Sequence, residues 1–176
     1  MIIQVIYNPH SGGGRGRKLS PVIIQSLGQN GHMTIEHCTL YHKHATEIAK
    51  HIDLNRCDAI VVIGGDGTVY EVLNGLMRNK TSEKRPPLGM IPVGTGNSFA
   101  KDLNMYHWKD GIVAVKKGMT RHVDIMKFIT EGTAFYSMNS IGFGIPADVS
   151  VRANKFKKIL GKWAYTISAA SEIMKI

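Results

Sequence analysis

Asp66 stands inside Gly64-Gly65-Asp66-Gly67-Thr68, and the residues on either side decide what that acid could do. The apolar run Ala59-Ile60-Val61-Val62-Ile63 before it is short and β-branched, which predicts a strand buried on both faces. Val69, Val72, Leu73 and Leu76 follow at helical spacing, so a helix is expected directly after the glycines. Thr68 and Glu71, three residues apart, read as a capping box at that start. A strand end, a glycine loop and a helix N-terminus in succession offer backbone amides to an anion. A carboxylate among such amides points to metal-assisted or base-assisted phosphoryl chemistry, with Asp66 as the catalytic residue. The plainer alternative is a loop aspartate that satisfies nearby amides.

Two more glycine stretches, Gly12-Gly13-Gly14-Arg15-Gly16 and Gly94-Thr95-Gly96, also follow apolar runs. The chain has 19 glycines in 176 residues, above the usual share of about 7%, and nine fall in these three stretches. Loops at strand ends therefore fit better than a flexible linker. The first stretch, with Arg15, Arg17 and Lys18, reads as a basic phosphate lid rather than a Walker loop, because no Gly-Lys-Ser/Thr occurs.

The elements that must position these loops can be read in order. Ile2 to Tyr7 is a first strand, and Ser20-Pro21 is expected to open a helix that ends at Gly28 or Gly31. Met33 to Cys38 alternates as a second strand, and Ala45, Ile48, Ala49 and Ile52 form one helical face. Leu88 to Pro92 is a fourth strand, followed by helices over Ser98 to Leu103 and Ile112 to Lys117. This alternation predicts an α/β fold, a mostly parallel sheet flanked by helices, with its ligand at the carboxyl ends of the strands. From about residue 121 the pattern changes. Arg121 to Ile129 and Thr133 to Ile141 are two extended segments joined at Glu131-Gly132. Residues 1–122 are thus expected to form a nucleotide-binding domain, and residues 123–176 the incomplete beginning of a β-rich second domain, with a helix over Trp163 to Ile176.

Composition narrows the class. With 43% hydrophobic and 20% charged residues the chain is globular, and no apolar run approaches a membrane span. Cys38 and Cys57 lack CxxC spacing and the first residues lack a signal peptide's basic flank, so a cytoplasmic protein with reduced thiols is expected. The formal charge of +9 calls for an anionic partner. Arg152, Lys155, Lys157, Lys158, Lys162 and Lys175, against Glu172 alone, form either a solvated face or a peripheral contact with an anionic membrane, at the inner face. No nucleic-acid motif is present, so no nucleic-acid partner is expected. The histidines His37, His42, His44 and His51 lack a metal-binding pattern and are read as surface or packing residues.

Asn8-Pro9-His10-Ser11-Gly12, Gly64 to Thr68 and Pro92-Val93-Gly94-Thr95-Gly96-Asn97, in this order and at these separations, resemble the diacylglycerol kinase catalytic-domain family. That family includes bacterial lipid kinases, sphingosine kinases and ceramide kinases. The resemblance implies a phosphofructokinase/NAD kinase-like nucleotide-binding domain, ATP and Mg²⁺, and transfer of the γ-phosphoryl group to the hydroxyl of a lipid substrate. It implies that Asn8, Pro9, His10, Ser11 and Gly12 lie along the nucleotide, with Thr39 on its adenine or ribose side. Gly65, Asp66, Gly67, Thr68, Val69, Tyr70 and Glu71, directly after Gly64, would hold the phosphates with backbone amides, Glu71 helping to fix the nucleotide. Asp66 would be the acid at the reaction centre, acting through magnesium or directly on the acceptor hydroxyl. Thr95 would reach the phosphates too, with Gly94, Gly96 and Asn97 in the same loop. The metal ligands are unassigned, and a homodimer is compatible with the sequence.

Two departures bear on this. Ser98 stands where many bacterial members carry an acid, and no Asp-Gly-Glu segment follows Gly144, so a first domain with only the opening of a second is expected. Two alternatives remain open: an NAD kinase-like soluble phosphotransferase, which shares the central pentapeptide, and a catalytically weak nucleotide-binding fragment.

Overall fold

The computed structural model describes residues 1–29 and 31–139. By backbone packing the chain divides into Met1–Met138 and Asn139–Ile176. The expected end of the second extended segment, the basic stretch after Val151 and the Trp163–Ile176 helix lie outside the described residues.

Four strands, β1 (Ile2–Tyr7), β2 (Met33–Cys38), β3 (Ala59–Gly64) and β4 (Leu88–Pro92), form one parallel sheet in the order β2-β1-β3-β4. The helices α1 (Ser11–Leu27), α2 (His44–His51), α3 (Asp66–Leu76), α4 (Ser98–Asp102) and α5 (Trp108–Lys116) connect and cover them. This is the α/β architecture that the alternation of patterns predicts. Every residue of β3 is buried, as a strand covered on both faces must be.

Each face of the sheet has its own core. Ile3, Val5, Val61, Ile63 and Ile91 pack against Ile23 and Leu27 of α1 and Ile112 of α5. On the other face Ile6, Ile60 and Val62 meet Ala45 and Ala49 of α2 and Val69 and Val72 of α3. The α2–α3 approach is close because Gly75 has no side chain; a Cβ there would lie 2.4 Å from the Thr46 carbonyl oxygen.

Three local expectations need correction. The first helix does not open at Ser20-Pro21. Left-handed Gly12, Gly13 and Gly14 (φ 61, 68 and 94) lead straight into it, so Pro21 lies inside the helix and Ser20 is buried. The Thr68/Glu71 capping box does not form, because α3 starts at Asp66 after an extended Gly65, with no side-chain cap. Glu71 reaches sideways instead, accepting from the Lys43 amide at 3.2 Å. The fifth strand, β5, runs only over Met126–Thr130. It pairs antiparallel with β6 (Thr133–Ser137), and Met126 opposite Ser137 is the last pair of the ladder. The hairpin turns at Glu131-Gly132, where both φ values are positive (48 and 72), the requirement of a tight two-residue turn.

That hairpin is docked on α3 by one side chain. The buried Asn74 amide donates to the Tyr136 carbonyl at 2.8 Å and its oxygen accepts from the Tyr136 amide at 3.0 Å, as a neighbouring strand would. Arg78 adds a bond to the Ala134 carbonyl at 3.0 Å and lies over the Phe135 ring. Asn74→Leu keeps the branched outline of the side chain, adds bulk and removes the bonds, so it should lower stability by about 2–4 kcal/mol. Chemical denaturation reads that loss, and hydrogen exchange should locate it in residues 126–137.

On the α2 side of β2, His37 Nε2 lies 2.7 Å from the buried Gln4 Oε1, and burial holds the imidazole below the ordinary histidine range. The unfolded chain therefore takes up that proton first as pH falls. Stability should be level above about pH 6.5 and fall below it until the folded-state value is passed. Urea midpoints across that window should flatten in His37→Gln.

Candidate active site

β1 is flanked by β2 on one side and β3 on the other, so the chain reverses its winding between β1 and β3. In such sheets the crevice beyond the carboxyl ends at the reversal is the natural ligand position. The loops leaving β1 and β3 meet there. The Asn8 amide donates to the Ile63 carbonyl at 3.1 Å, and Asn8 Nδ2 donates to Thr68 Oγ1 at 3.3 Å. Asn8 Oδ1 accepts from the His10 amide at 2.9 Å, which folds the loop back on itself.

The loop after β4 joins from the other side. The amides of Val93 and Gly94 both donate to the Gly64 carbonyl, at 2.9 and 3.2 Å. Gly94 and Gly65 then touch backbone to backbone: a Cβ on Gly94 would lie 2.5 Å from the Gly65 Cα. Gly12 is equally close to this loop, with a hypothetical Cβ 2.1 Å from the Val93 carbonyl oxygen. Arg15, one of the cations of the expected phosphate lid, donates from its guanidinium to the Gly94 carbonyl. Its only sequence signal was a cation directly after the glycine run.

Asp66 is the joint of this rim. Its two carboxylate oxygens accept from the amides of Ser98 at 3.1 Å and Phe99 at 3.2 Å, the first turn of α4. Its Oδ2 would lie 3.2 Å from a Cβ on Gly96. Asn97, left-handed at φ 53, donates to the Gly94 carbonyl at 3.0 Å, while its own Oδ1 is a buried acceptor without a donor among the described residues. Gly67 faces open space among the described residues, with none of their atoms outside its own helix backbone within 4 Å of where a Cβ would stand. The start of α3 thus presents approachable backbone at the end of a helix that favours anions.

The sequence-predicted residues divide into groups. Asn8, Gly12, Gly64, Gly65, Asp66, Gly67, Thr68, Gly94, Gly96 and Asn97 come together at the rim. Thr95 is half-buried in the same loop. Val69 is a core residue and Tyr70 projects outward, its carbonyl accepting from Asn74. Glu71 ties α3 to the loop after β2 through the Lys43 amide and, at 3.3 Å, His42 Nδ1.

Pro9, His10 and Thr39 line an open cleft of about 780 Å³ between α1 and the β1–β2 edge of the sheet. In that cleft the Tyr7 phenol is held above its ordinary range, first by its hydrogen bond with the Cys38 thiol and then by burial. Among the described residues no group of three or more His, Cys, Asp or Glu side chains could hold a metal ion.

An α/β sheet with three glycine loops gathered at its winding reversal offers backbone amides to an anionic ligand. The family model of the diacylglycerol kinase catalytic domain matches residues 3–128, and the chain belongs to that family. It is 36% identical over 166 residues to a diacylglycerol kinase from Bacillus subtilis, covering 92% of this chain and 52% of that protein. It is 31% identical over 164 residues to sphingosine kinase 1 from Arabidopsis thaliana, covering 88% and 34%. A diacylglycerol kinase structure from Bacillus anthracis superposes with a TM-score of 0.59 at 28% identity, over 76% of this chain and 47% of that one. The chain thus spans about half, or less, of the length of these relatives.

The glycine contacts make a paired prediction. Gly94→Ala forces two backbones apart and should lower stability by about 1–3 kcal/mol. Gly67→Ala, in the first turn of α3 with open space around it, should leave stability level or raise it by up to about 1 kcal/mol. Denaturation midpoints of the two variants check both halves.

Proposed function

We propose that the chain is the nucleotide-binding part of an ATP-dependent lipid kinase, which transfers the γ-phosphoryl group to the hydroxyl of a diacylglycerol or sphingoid acceptor. The observation that carries this reading is the meeting of the three loops around Asp66, with Gly94 against Gly65 and Ser98 and Phe99 donating to the Asp66 carboxylate. The backbone of Gly67 and the first turn of α3 would receive the phosphates, and Asn8 and Gly12 would border the same space. Glycine suits such positions because a side chain would keep the amides from the phosphate oxygens.

A lipid alcohol must lose its proton as the new bond to phosphorus forms, and a carboxylate beside the reacting centre is the group suited to take it. Asp66 has that position in this reading, its orientation fixed by the α4 amides. Mg²⁺, when bound with ATP, neutralises phosphate charge. The described residues supply no ligand cluster for it, so no step here depends on the ion. The family resemblance favours a lipid acceptor over NAD, since the Asn-Pro-x-Ser-Gly and Gly-Thr-Gly-Asn loops accompany the central pentapeptide. Two parts of the reading lie outside the described residues: the lining of the acceptor site and contact with an anionic membrane.

ATP titration of the chain by calorimetry, with Mg²⁺ present, should give saturable binding. Gly67→Ala should weaken it about tenfold or more while the fold stays intact, because its methyl enters the space assigned to phosphate. Wild-type affinity in Gly67→Ala would remove the phosphates from α3. With labelled ATP, lipid and NAD offered together, label should enter lipid alone; label in NAD alone would overturn the acceptor class. Asp66→Asn should cut transfer by about a hundredfold or more.

A further inference from the structure

The two edges of the parallel sheet are finished differently. β4 is bracketed by Pro86, Pro87 and Pro92, and α5 presses on its backbone, where a Cβ on Gly111 would lie 2.7 Å from the Met90 carbonyl oxygen. Proline, lysine and a covering element are the usual protections of an edge. β2, at the opposite edge, carries neither proline nor lysine along Met33-Thr34-Ile35-Glu36-His37-Cys38.

The outer side of β2 is a row of open backbone groups. Met33 and Thr39 give their amides to the Met1 and Tyr7 carbonyls at the ends of β1, each at 2.9 Å. The odd-numbered residues therefore bond β1, and Thr34, Glu36 and Cys38 turn amide and carbonyl away from it. Among the described residues no strand lies on that side. Met33 and Ile35 share the α2 face of β2 with His37, and they are 60% and 39% exposed.

We infer that this edge pairs antiparallel with the same strand of a second copy, joining two four-stranded sheets into one across a two-fold axis. Side-chain chemistry selects both the partner and the register. With Thr34 opposite Thr34 at the axis, Met33 meets Ile35 of the second copy and Ile35 meets its Met33. Each exposed apolar group is then covered by the other. On the α1 face Glu36 stands opposite His32 of the second copy, and the axis repeats that pair. The N-terminal ammonium lies 3.4 Å from His32 Nδ1, which leaves Nε2 to donate to the carboxylate. A slide of two residues would set Met33 against His37, which already lies 2.7 Å from Gln4. A slide of four would oppose Glu36 to itself, a repulsive pair. A foreign strand could use the open amides, whereas β2's own sequence, reversed by the axis, supplies the apolar and the charged pairing in one register. The glycine-loop rim takes no part, so the inference does not depend on the nucleotide reading.

Sedimentation equilibrium of the full chain should show a monomer–dimer equilibrium with a dissociation constant of about 1–100 μM, since so short a strand pair lies at the small end of specific interfaces. Ile35→Lys should raise that constant about tenfold or more, because the change counts twice across the axis. Thr34→Pro removes an amide that β1 does not use and should have the same effect. Denaturation of both variants as dilute monomers checks that the fold is kept. Cys57 is buried, so in a Cys38→Ser background an introduced thiol is the reactive one. Thr34→Cys should then give a disulfide-linked dimer under mild oxidation, because residues paired at the axis stand about 5.5 Å apart at Cα. Glu36→Cys, displaced from the axis on both strands, should not. A chain that stays monomeric above that concentration range, a dimer indifferent to both Ile35→Lys and Thr34→Pro, or cross-linking by Glu36→Cys and not by Thr34→Cys would each overturn the inference. In a monomer, slow hydrogen exchange at the Thr34 and Glu36 amides would give the edge to another segment of the same chain instead.

Discussion

The contact between Gly65 and Gly94 is the constraint on which the rest of the rim depends. Parallel neighbours β3 and β4 end side by side, and the Gly64 carbonyl takes the amides of both Val93 and Gly94. That sharing draws the two loops together until only hydrogen atoms fit between their α-carbons. With the loops at this distance, Asp66 can reach the α4 amides, and Asn97 can fold back on the Gly94 carbonyl. A wider spacing would leave the Asp66 carboxylate and the first amides of α4 without each other. Buried or half-buried polar groups of this kind are expensive to leave unmet, so the glycines and the aspartate stabilise the same arrangement.

The sheet's winding then assigns different tasks to its two faces. The loop after β1 leads into α1 on one face, while the loop after β3 leads into α3 on the other. A ligand placed in the crevice between them can touch both helices without entering the core. α1 covers β1 and β3 but leaves the α1 face of β2 open, which is why a cleft follows the edge strand and ends at the same rim. The glycine-loop rim and the edge-strand cleft thus lie side by side by topology, before any one side chain is considered.

Much of this was legible in the sequence, and the reasons are particular. β1, β2 and β4 match their expected spans because each is a bounded apolar or alternating run, and the glycines after β3 mark a loop wherever they occur. The α1 start was misread because Ser-Pro is a strong local signal, yet Gly12 to Gly14 supply the turn eight residues earlier and packing of the α1 face carries the helix through Pro21. Thr68 and Glu71 have the spacing of a capping box, but tertiary partners claim both: Asn8 takes the hydroxyl and the Lys43 amide takes the carboxylate. The partners of Arg15 and Asn74 carry no local signature. They come from other elements of the fold, which spacing along the chain does not encode.

α3 shows how one short helix can organise a site and its surroundings together. Its first turn borders the rim, with Thr68 pressed against Gly64 and bonded to Asn8. One turn on, Glu71 holds the loop after β2, which begins at Thr39 on the cleft. The next turn carries Asn74 to the hairpin and Gly75 to α2, and Arg78 beyond the helix end holds the hairpin again. Successive turns therefore contact different elements, and Val69, Val72 and Leu73 anchor the remaining face in the core. A rotation of α3 that altered the rim would have to break the Glu71 and Asn74 bonds in the same movement. The rim geometry, the loop after β2 and the hairpin are consequently set by a single helix orientation, so a ligand that fixes α3's first turn also fixes the elements bonded further along it.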